Sequence, residues 1–128
     1  MRLLLDTHTF LWWAGDAAEL SPAARDAIAE LENEVLFSMA SCWELSIKVS
    51  LGKLKLATSI ERFIPEQLAA NGFRLLNINF RHVSRVATMP FHHRDPFDRL
   101  LASQAIEDKL ILVSADRIFE QYSVQRIW

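Results

Sequence analysis

Four acidic residues of the sequence could form one chemical site, and they are Asp6, Glu44, Asp98 and Asp116. Asp6 directly follows an apolar run at residues 3–5, and Asp116 closely follows a second apolar run at residues 110–113. Open α/β sheets place their functional groups just beyond the carboxyl ends of such buried strands. Asp6 and Asp116 are therefore predicted to lie at the same edge of a sheet.

Asp98 is the acid whose position on its helix is least typical of a surface residue. It shares one helical face with apolar residues at the i+3, i+4 and i+7 offsets, namely Leu101, Ala102 and Ala105. The spacing therefore predicts that Asp98 faces the protein interior.

Buried carboxylates that approach one another cost several kcal/mol each unless a cation compensates them. A fold that gathers four of them needs a metal ion, a cationic substrate or protonation, and a divalent metal is the remedy we favour. Mg²⁺ and Mn²⁺ prefer oxygen ligands, and Mg²⁺ keeps several waters for phosphate chemistry. The pattern suggests hydrolysis of phosphodiester bonds.

Each acid also has an ordinary structural explanation. Asp6 and Asp116 could be N-caps, and Glu44 stands four residues before Lys48, as in a surface ion pair. Asp98 would lie in the first turn of a helix that Asp95 caps, where negative charge is favourable. These explanations do not account for the apolar face on which Asp98 lies, so the joint pattern favours a site.

Strands alternate with helices along the chain, which predicts a three-layer α/β/α domain of the α/β class with a mostly parallel central sheet. The predicted strands are residues 2–5, 35–37, 73–78, 110–113 and an edge strand within 122–128. The predicted helices are residues 7–14, 22–31, 40–51, 59–71, 80–89 and 96–108, with Pro65 expected to break or kink the fourth. No composition break divides the chain, so residues 1–128 are expected to form a single domain.

The composition is that of a globular protein, with 51% hydrophobic residues and a formal charge of −2 that gives no support for strong nonspecific nucleic-acid binding. The lone cysteine, Cys42, excludes an internal disulfide and fits a reducing compartment, so the cytoplasm is the expected location. No apolar run approaches the ~20 residues that span a bilayer, so no membrane association is expected.

Several other residues near the predicted site could assist the chemistry. The hydroxyls of Thr7 and Ser114 could orient a water or a phosphate, and the cations that could contact a substrate backbone are Lys48, Arg94 and Arg99. His8 could help at the same edge, whereas His92 and His93 are expected at the surface, without a catalytic role.

The tryptophans are expected to serve packing and partner binding. Trp12 and Trp13 make the first helix bulky, so part of it is expected to form a groove for a partner chain. Trp43 and Trp128 are expected to pack in the core or at an edge of the sheet.

Four segments, in this order along the chain, resemble the PIN-domain nucleases, and most closely the VapC-type toxins of bacterial toxin-antitoxin pairs. Residues 3–8 resemble the first strand and first acid of that family, and residues 41–48 with 52–54 resemble its glutamate helix. Residues 95–102 and 112–116, with Phe119 following, resemble the segments that carry its third and fourth acids.

The resemblance implies a metal-dependent endoribonuclease that forms a homodimer and is inhibited by a cognate antitoxin occupying its site. It implies that Asp6, Glu44, Asp98 and Asp116 hold one or two Mg²⁺ or Mn²⁺ ions. Some family members carry a further acid after the fourth, where this chain has Arg117 and the next candidate is Glu120. The alternative is a non-catalytic interaction or RNA-binding protein on the same scaffold.

Overall fold

The computed structural model describes residues 1–128, which form a five-stranded parallel sheet with helices on both faces. The strands are β1 (Arg2–Leu5), β2 (Glu34–Ser38), β3 (Arg74–Leu76), β4 (Ile111–Val113) and β5 (Arg126–Ile127). The helices are α1 (Thr7–Ala14), α2 (Pro22–Ala29), α3 (Met39–Ser50), α4 (Ile60–Asn71), α5 (Phe80–Val86) and α6 (Pro96–Asp108), with a 3₁₀ helix at Arg117–Tyr122. The predicted three-layer α/β/α fold is confirmed.

Alternate residues of β1 face opposite sides of the sheet, and each side has its own apolar core. Leu3 and Leu5 belong to a core with residues of α1, α2 and α4, whereas Leu4 belongs to a second core with residues of α6. All three leucines are fully buried. A strand buried on both faces explains why this segment is an unbroken apolar run rather than an alternating one.

The order of the strands is β3-β2-β1-β4-β5. The strands β2 and β3 therefore lie on one side of β1, and the chain then crosses over to add β4 and β5 on its other side. The reversal falls between β1 and β4, which are hydrogen-bonded neighbours. Open α/β sheets bind ligands in the crevice outside the carboxyl ends of the strands at such a point. The fold therefore places Asp6 and the segment after β4 beside the crevice, and the Asp6 amide donates to the Val113 carbonyl at 3.2 Å.

The expected break at Pro65 is wrong, because α4 is one continuous helix from Ile60 to Asn71. The proline lies on the exposed side of the helix, and Glu61, whose carbonyl would have accepted the missing N–H, is also exposed. Solvent can hydrate that carbonyl, so the helix lacks one hydrogen bond but continues past the proline. The third strand is also shorter than predicted, at Arg74–Leu76.

The bulky first helix is largely covered by the chain itself rather than left for a partner. Phe10 is fully buried and stacks on Phe37, with the ring centroids 3.9 Å apart. Trp12 packs against Trp128, and the Trp13 indole N–H donates to the Asn71 side-chain oxygen. These contacts leave less of α1 available to a partner than the sequence indicated.

Trp43 departs from its predicted packing role. Its side chain is 59% exposed and meets Phe97 edge-on. None of the helices combines the length and apolar character needed to cross a membrane.

Candidate active site

The four predicted acids converge at the carboxyl edge of the sheet. Asp6 ends β1, Glu44 lies on α3, Asp98 lies in the first turn of α6, and Asp116 follows β4. The pKa of Asp98 is raised from 3.8 to about 7, chiefly by burial and then by the charge of Asp95, with smaller contributions from Asp6 and Glu44, whereas His93 lowers it. The pKa of Asp98 therefore responds to carboxylates at the end of β1 and on α3 as well as to the N-cap of its own helix, so these acids share one site.

Asp6 is buried and both of its carboxylate oxygens accept hydrogen bonds. Oδ1 accepts from the Thr9 backbone N–H at 2.8 Å, as an N-cap of α1, and Oδ2 accepts from the Ser114 hydroxyl at 2.5 Å. The Ser114 oxygen also accepts from the Asp116 backbone N–H at 3.0 Å. The N-cap explanation of Asp6 is therefore confirmed, and Ser114 fixes the segments that carry the first and fourth acids relative to each other.

Glu44 is held by one neighbour on each oxygen. Thr7 Oγ1 lies 2.6 Å from Glu44 Oε1 and 2.9 Å from Ser41 Oγ, and all three side chains are buried. Lys48 Nζ lies 3.2 Å from Glu44 Oε2, in the i,i+4 arrangement expected from the sequence. Thr7 therefore orients a carboxylate of the site, which is a different task from the predicted contact with a water or phosphate.

Asp98 and Asp116 meet at a residue that the sequence had not indicated. His93 Nε2 lies 2.7 Å from Asp116 Oδ2 and 3.1 Å from Asp98 Oδ2. The His93 side chain is only 13% exposed, so the expected surface position is wrong for this histidine. His92 is exposed and meets the Tyr122 ring edge-on.

Two acids near the site have structural roles. Asp95 caps α6 by accepting from the backbone N–H groups of Phe97 and Asp98, as the sequence predicted. Glu120, the candidate fifth acid, is largely exposed and forms an ion pair with Arg126 at 3.0 Å.

The three candidate substrate-binding cations have different environments. Arg99 is buried and donates to the backbone carbonyls of the segment that joins α5 to α6, so its predicted contact with substrate is wrong. A guanidinium committed to carbonyls inside the protein cannot reach a phosphate. Arg94 is exposed and forms no ion pair within the chain, and Lys48 lies beside Glu44 at the edge of the site.

The chemistry of the donor set fits a divalent metal ion. Four carboxylates approach one another. The one lysine or arginine that forms an ion pair with any of them is Lys48, which contacts Glu44. Hard cations such as Mg²⁺ and Mn²⁺ take carboxylate oxygens as ligands, and their charge would offset the burial and the repulsion that together raise the pKa of Asp98. Asp6, Glu44, Asp98 and Asp116 are the residues that could hold such an ion.

Comparison with known proteins agrees with this geometry. The PIN domain family model matches residues 3–125. Ribonuclease VapC22 of Mycobacterium tuberculosis is 32% identical over 116 residues, which cover 90% of this chain and 87% of that protein. The fold is similar to that of VapBC2 from Rickettsia felis bound to a promoter DNA fragment, with a TM-score of 0.72, 16% identity and coverage of 98% of this chain and 97% of the other.

A second solved structure, FitAcB from Neisseria gonorrhoeae, matches with a TM-score of 0.67 and 19% identity, covering 97% of this chain and 95% of that one. The family model matches nearly the whole chain, and the solved structures share its fold. The chain belongs to the PIN domain family.

Proposed function

We propose that this protein is a metal-dependent endoribonuclease that hydrolyses RNA phosphodiester bonds and acts as the toxin of a type II toxin-antitoxin system. The observation that carries the proposal is the convergence of four carboxylates from separate segments at one edge of the sheet. The relative named Ribonuclease VapC22, which aligns with 90% of the chain, supports RNA as the substrate.

In this proposal Asp6, Glu44, Asp98 and Asp116 hold Mg²⁺ or Mn²⁺. When bound, a divalent ion lowers the pKa of water and offsets negative charge on the scissile phosphate. The protein's own contribution is to fix its carboxylates: Thr7 orients Glu44, and Ser114 orients Asp6. Preorganised groups of this kind avoid reorganisation during the reaction.

In this proposal the RNA backbone is contacted by the two candidate cations near the site that are not buried. Arg94 is exposed on the segment that carries His93, and Lys48 lies beside Glu44. Contacts of this type position a nucleic acid without reading its sequence. Residues 1–128 act as one nuclease domain, and the partners in this proposal are a cognate antitoxin and a second copy of the chain.

The proposal is tested by incubating the purified protein with a mixed RNA pool in Mg²⁺, in Mn²⁺ or in chelator. We expect cleavage with either metal, its loss in chelator and its recovery when metal is restored, because the carboxylates would hold the ion that the reaction needs. Asp6→Asn keeps an N-capping side chain at the start of α1, so this variant should remain folded while losing activity.

Asp26→Asn provides the matched control, because Asp26 is an exposed acid on α2 away from the site. It should cleave RNA as the unaltered protein does. If folded wild-type protein leaves every RNA intact with both metals, and binds neither metal, the nuclease proposal is wrong and a non-catalytic interaction protein is the better account.

A further inference from the structure

We propose that His93 is a positioning residue, which donates its Nε2–H to Asp116, lies against Asp98 and stays outside the coordination sphere of the metal. The metal-binding part of this inference rests on the proposed function, whereas the contacts of His93 do not depend on it. His93 Nε2 lies within hydrogen-bond distance of one oxygen of each acid, at 3.1 Å and 2.7 Å. The three side chains could also be read as three ligands of one ion.

The other ring nitrogen decides between these two roles. His93 Nδ1 accepts a hydrogen bond from the Asp95 backbone N–H at 3.2 Å, so Nδ1 carries no proton. In a neutral imidazole the proton must then be on Nε2, which makes Nε2 a donor. A histidine that binds metal through Nε2 instead keeps its proton on Nδ1 and donates it to a carbonyl or carboxylate. Nδ1 of His93 therefore has a donor as its partner, whereas a histidine that binds metal through Nε2 needs an acceptor there.

The backbone around His93 is fixed in a way that holds this ring orientation. The His93 backbone N–H donates to the Tyr122 hydroxyl at 2.7 Å, and Arg99 Nη1 lies 3.4 Å from the same oxygen. Arg99 in turn donates to the carbonyls of Val86, Met89 and Pro90. Buried Arg99 therefore secures the segment before α6, and through Tyr122 it secures His93.

This arrangement lets the histidine hold two separate parts of the site together. Asp98 and Asp116 come from different elements, α6 and the segment after β4. The His93 N–H fixes the Asp116 oxygen, and the same ring nitrogen lies 3.1 Å from Asp98, so the ring sets the spacing of the two acids without itself binding the metal ion. Outer partners of this kind typically account for 10–100-fold in metal affinity or activity.

Two substitutions at His93 test separately the effect of the hydrogen-bond donor and the effect of the volume of the ring. His93→Gln places an amide N–H within reach of the position of Nε2, whereas His93→Leu fills the space with no donor. We expect His93→Leu to weaken Mn²⁺ binding by about 10–100-fold, measured by calorimetry, and His93→Gln to recover most of that loss. His92→Leu, a change at the exposed neighbour, is the control and should bind Mn²⁺ as wild type does.

Two spectroscopic measurements report the role of the ring itself. In the metal-free protein, ¹⁵N NMR of His93 should show the Nε2–H form, with Nδ1 unprotonated. In the Mn²⁺-loaded protein, electron spin echo spectra should contain no nitrogen modulation that disappears in His93→Leu. A modulation that is lost with the ring would make His93 a ligand, and a proton on Nδ1 would mean that Nδ1 does not accept from the Asp95 N–H, on which the donor role of Nε2 depends; either result overturns the proposal.

Failure of this inference can be told apart from failure of the proposed function. If the wild-type protein neither binds Mn²⁺ nor cleaves RNA, the nuclease proposal fails, but the NMR measurement still decides whether His93 carries the Nε2 proton that it would donate to Asp116. If the protein cleaves RNA and His93→Gln is as impaired in Mn²⁺ binding as His93→Leu, the nuclease stands and the positioning role is wrong.

Discussion

Replacing Asp98 with asparagine should stabilise the metal-free protein and at the same time remove its ribonuclease activity. The carboxylate is partly buried among other acids, so its charge destabilises the fold when no metal is present. Asparagine has nearly the same shape without the charge. We expect activity to fall by more than about 100-fold, because loss of a ligand should exceed the cost of losing an outer partner.

The stabilising effect should depend on pH in a defined direction. The pKa of Asp98 rises from 3.8 in the unfolded chain to about 7 in the folded protein, chiefly through burial and the charge of Asp95. A raised pKa in the folded state means that stability is fully present below pH 4 and is lost as the pH rises through 7. The difference between the two values corresponds to a loss of up to about 4 kcal/mol.

Denaturant unfolding in chelator at pH 4 and pH 8 measures this effect. Wild type and Asp98→Asn should have similar free energies of unfolding at pH 4, and the variant should be more stable by a few kcal/mol at pH 8. Asp26→Asn, which removes an exposed acid, should change stability little at either pH. An Asp98→Asn protein no more stable than wild type at pH 8 would show that the buried charge of Asp98 does not destabilise the metal-free fold.

Replacing Arg99 with methionine should destabilise the protein by about 2–4 kcal/mol. The guanidinium donates to the carbonyls of Pro90 and Val86 at 2.9 Å and 3.1 Å, and it lies 4.1 Å from the centroid of the Phe91 ring. Methionine preserves much of the volume but removes the donors that Arg99 supplies to these partly buried carbonyls, and a buried carbonyl left without a donor costs roughly 1–3 kcal/mol. Relief from burying the charge offsets part of this loss.

Arg94→Met is the matched control, because Arg94 is exposed, belongs to the same segment and forms no ion pair. Its free energy of unfolding should stay within about 0.5 kcal/mol of wild type, whereas its affinity for RNA should fall. If Arg99→Met unfolds at the same denaturant concentration as Arg94→Met, the carbonyl contacts do not stabilise the segment and Arg99 is free for another role.

The sequence predicted those parts of the fold that depend on local chemistry. The unbroken leucine run before Asp6 marked a strand buried on both faces, and it became β1 at the centre of the sheet. Asp95 and Pro96 marked the start of α6, whose bounds agree with the prediction. Capping side chains and buried runs act over a few residues, so their effect is readable without the tertiary structure.

Features that depend on the environment of a residue were harder to predict. Pro65 was expected to interrupt α4 because a proline lacks one donor, but exposure to solvent makes that loss tolerable. Trp43 was expected to be packed, yet only its position in three dimensions shows that it is 59% exposed. In both cases the deciding quantity is solvent access, which periodicity on one helix does not determine.

The candidate site shows the same division. Asp6, Asp98 and Asp116 could be identified because each follows a strand or shares a helical face with apolar residues, whereas Glu44 was identified through the resemblance of its helix to that of a known family. His93 was missed because it lies in an irregular segment, where its direction depends on distant contacts with Tyr122 and, through it, Arg99. The same burial that secures His93 removed Arg99 from the list of substrate contacts, a reversal that no local pattern could indicate.

The central claim is that four carboxylates from separate segments bind one divalent metal centre. An anomalous difference map from crystals equilibrated with Mn²⁺ tests it most directly, because the signal identifies the metal and its position together. We expect a strong peak that Asp6, Glu44, Asp98 and Asp116 contact directly or through water. Well-ordered crystals at saturating Mn²⁺ with no peak between these carboxylates would contradict the claim.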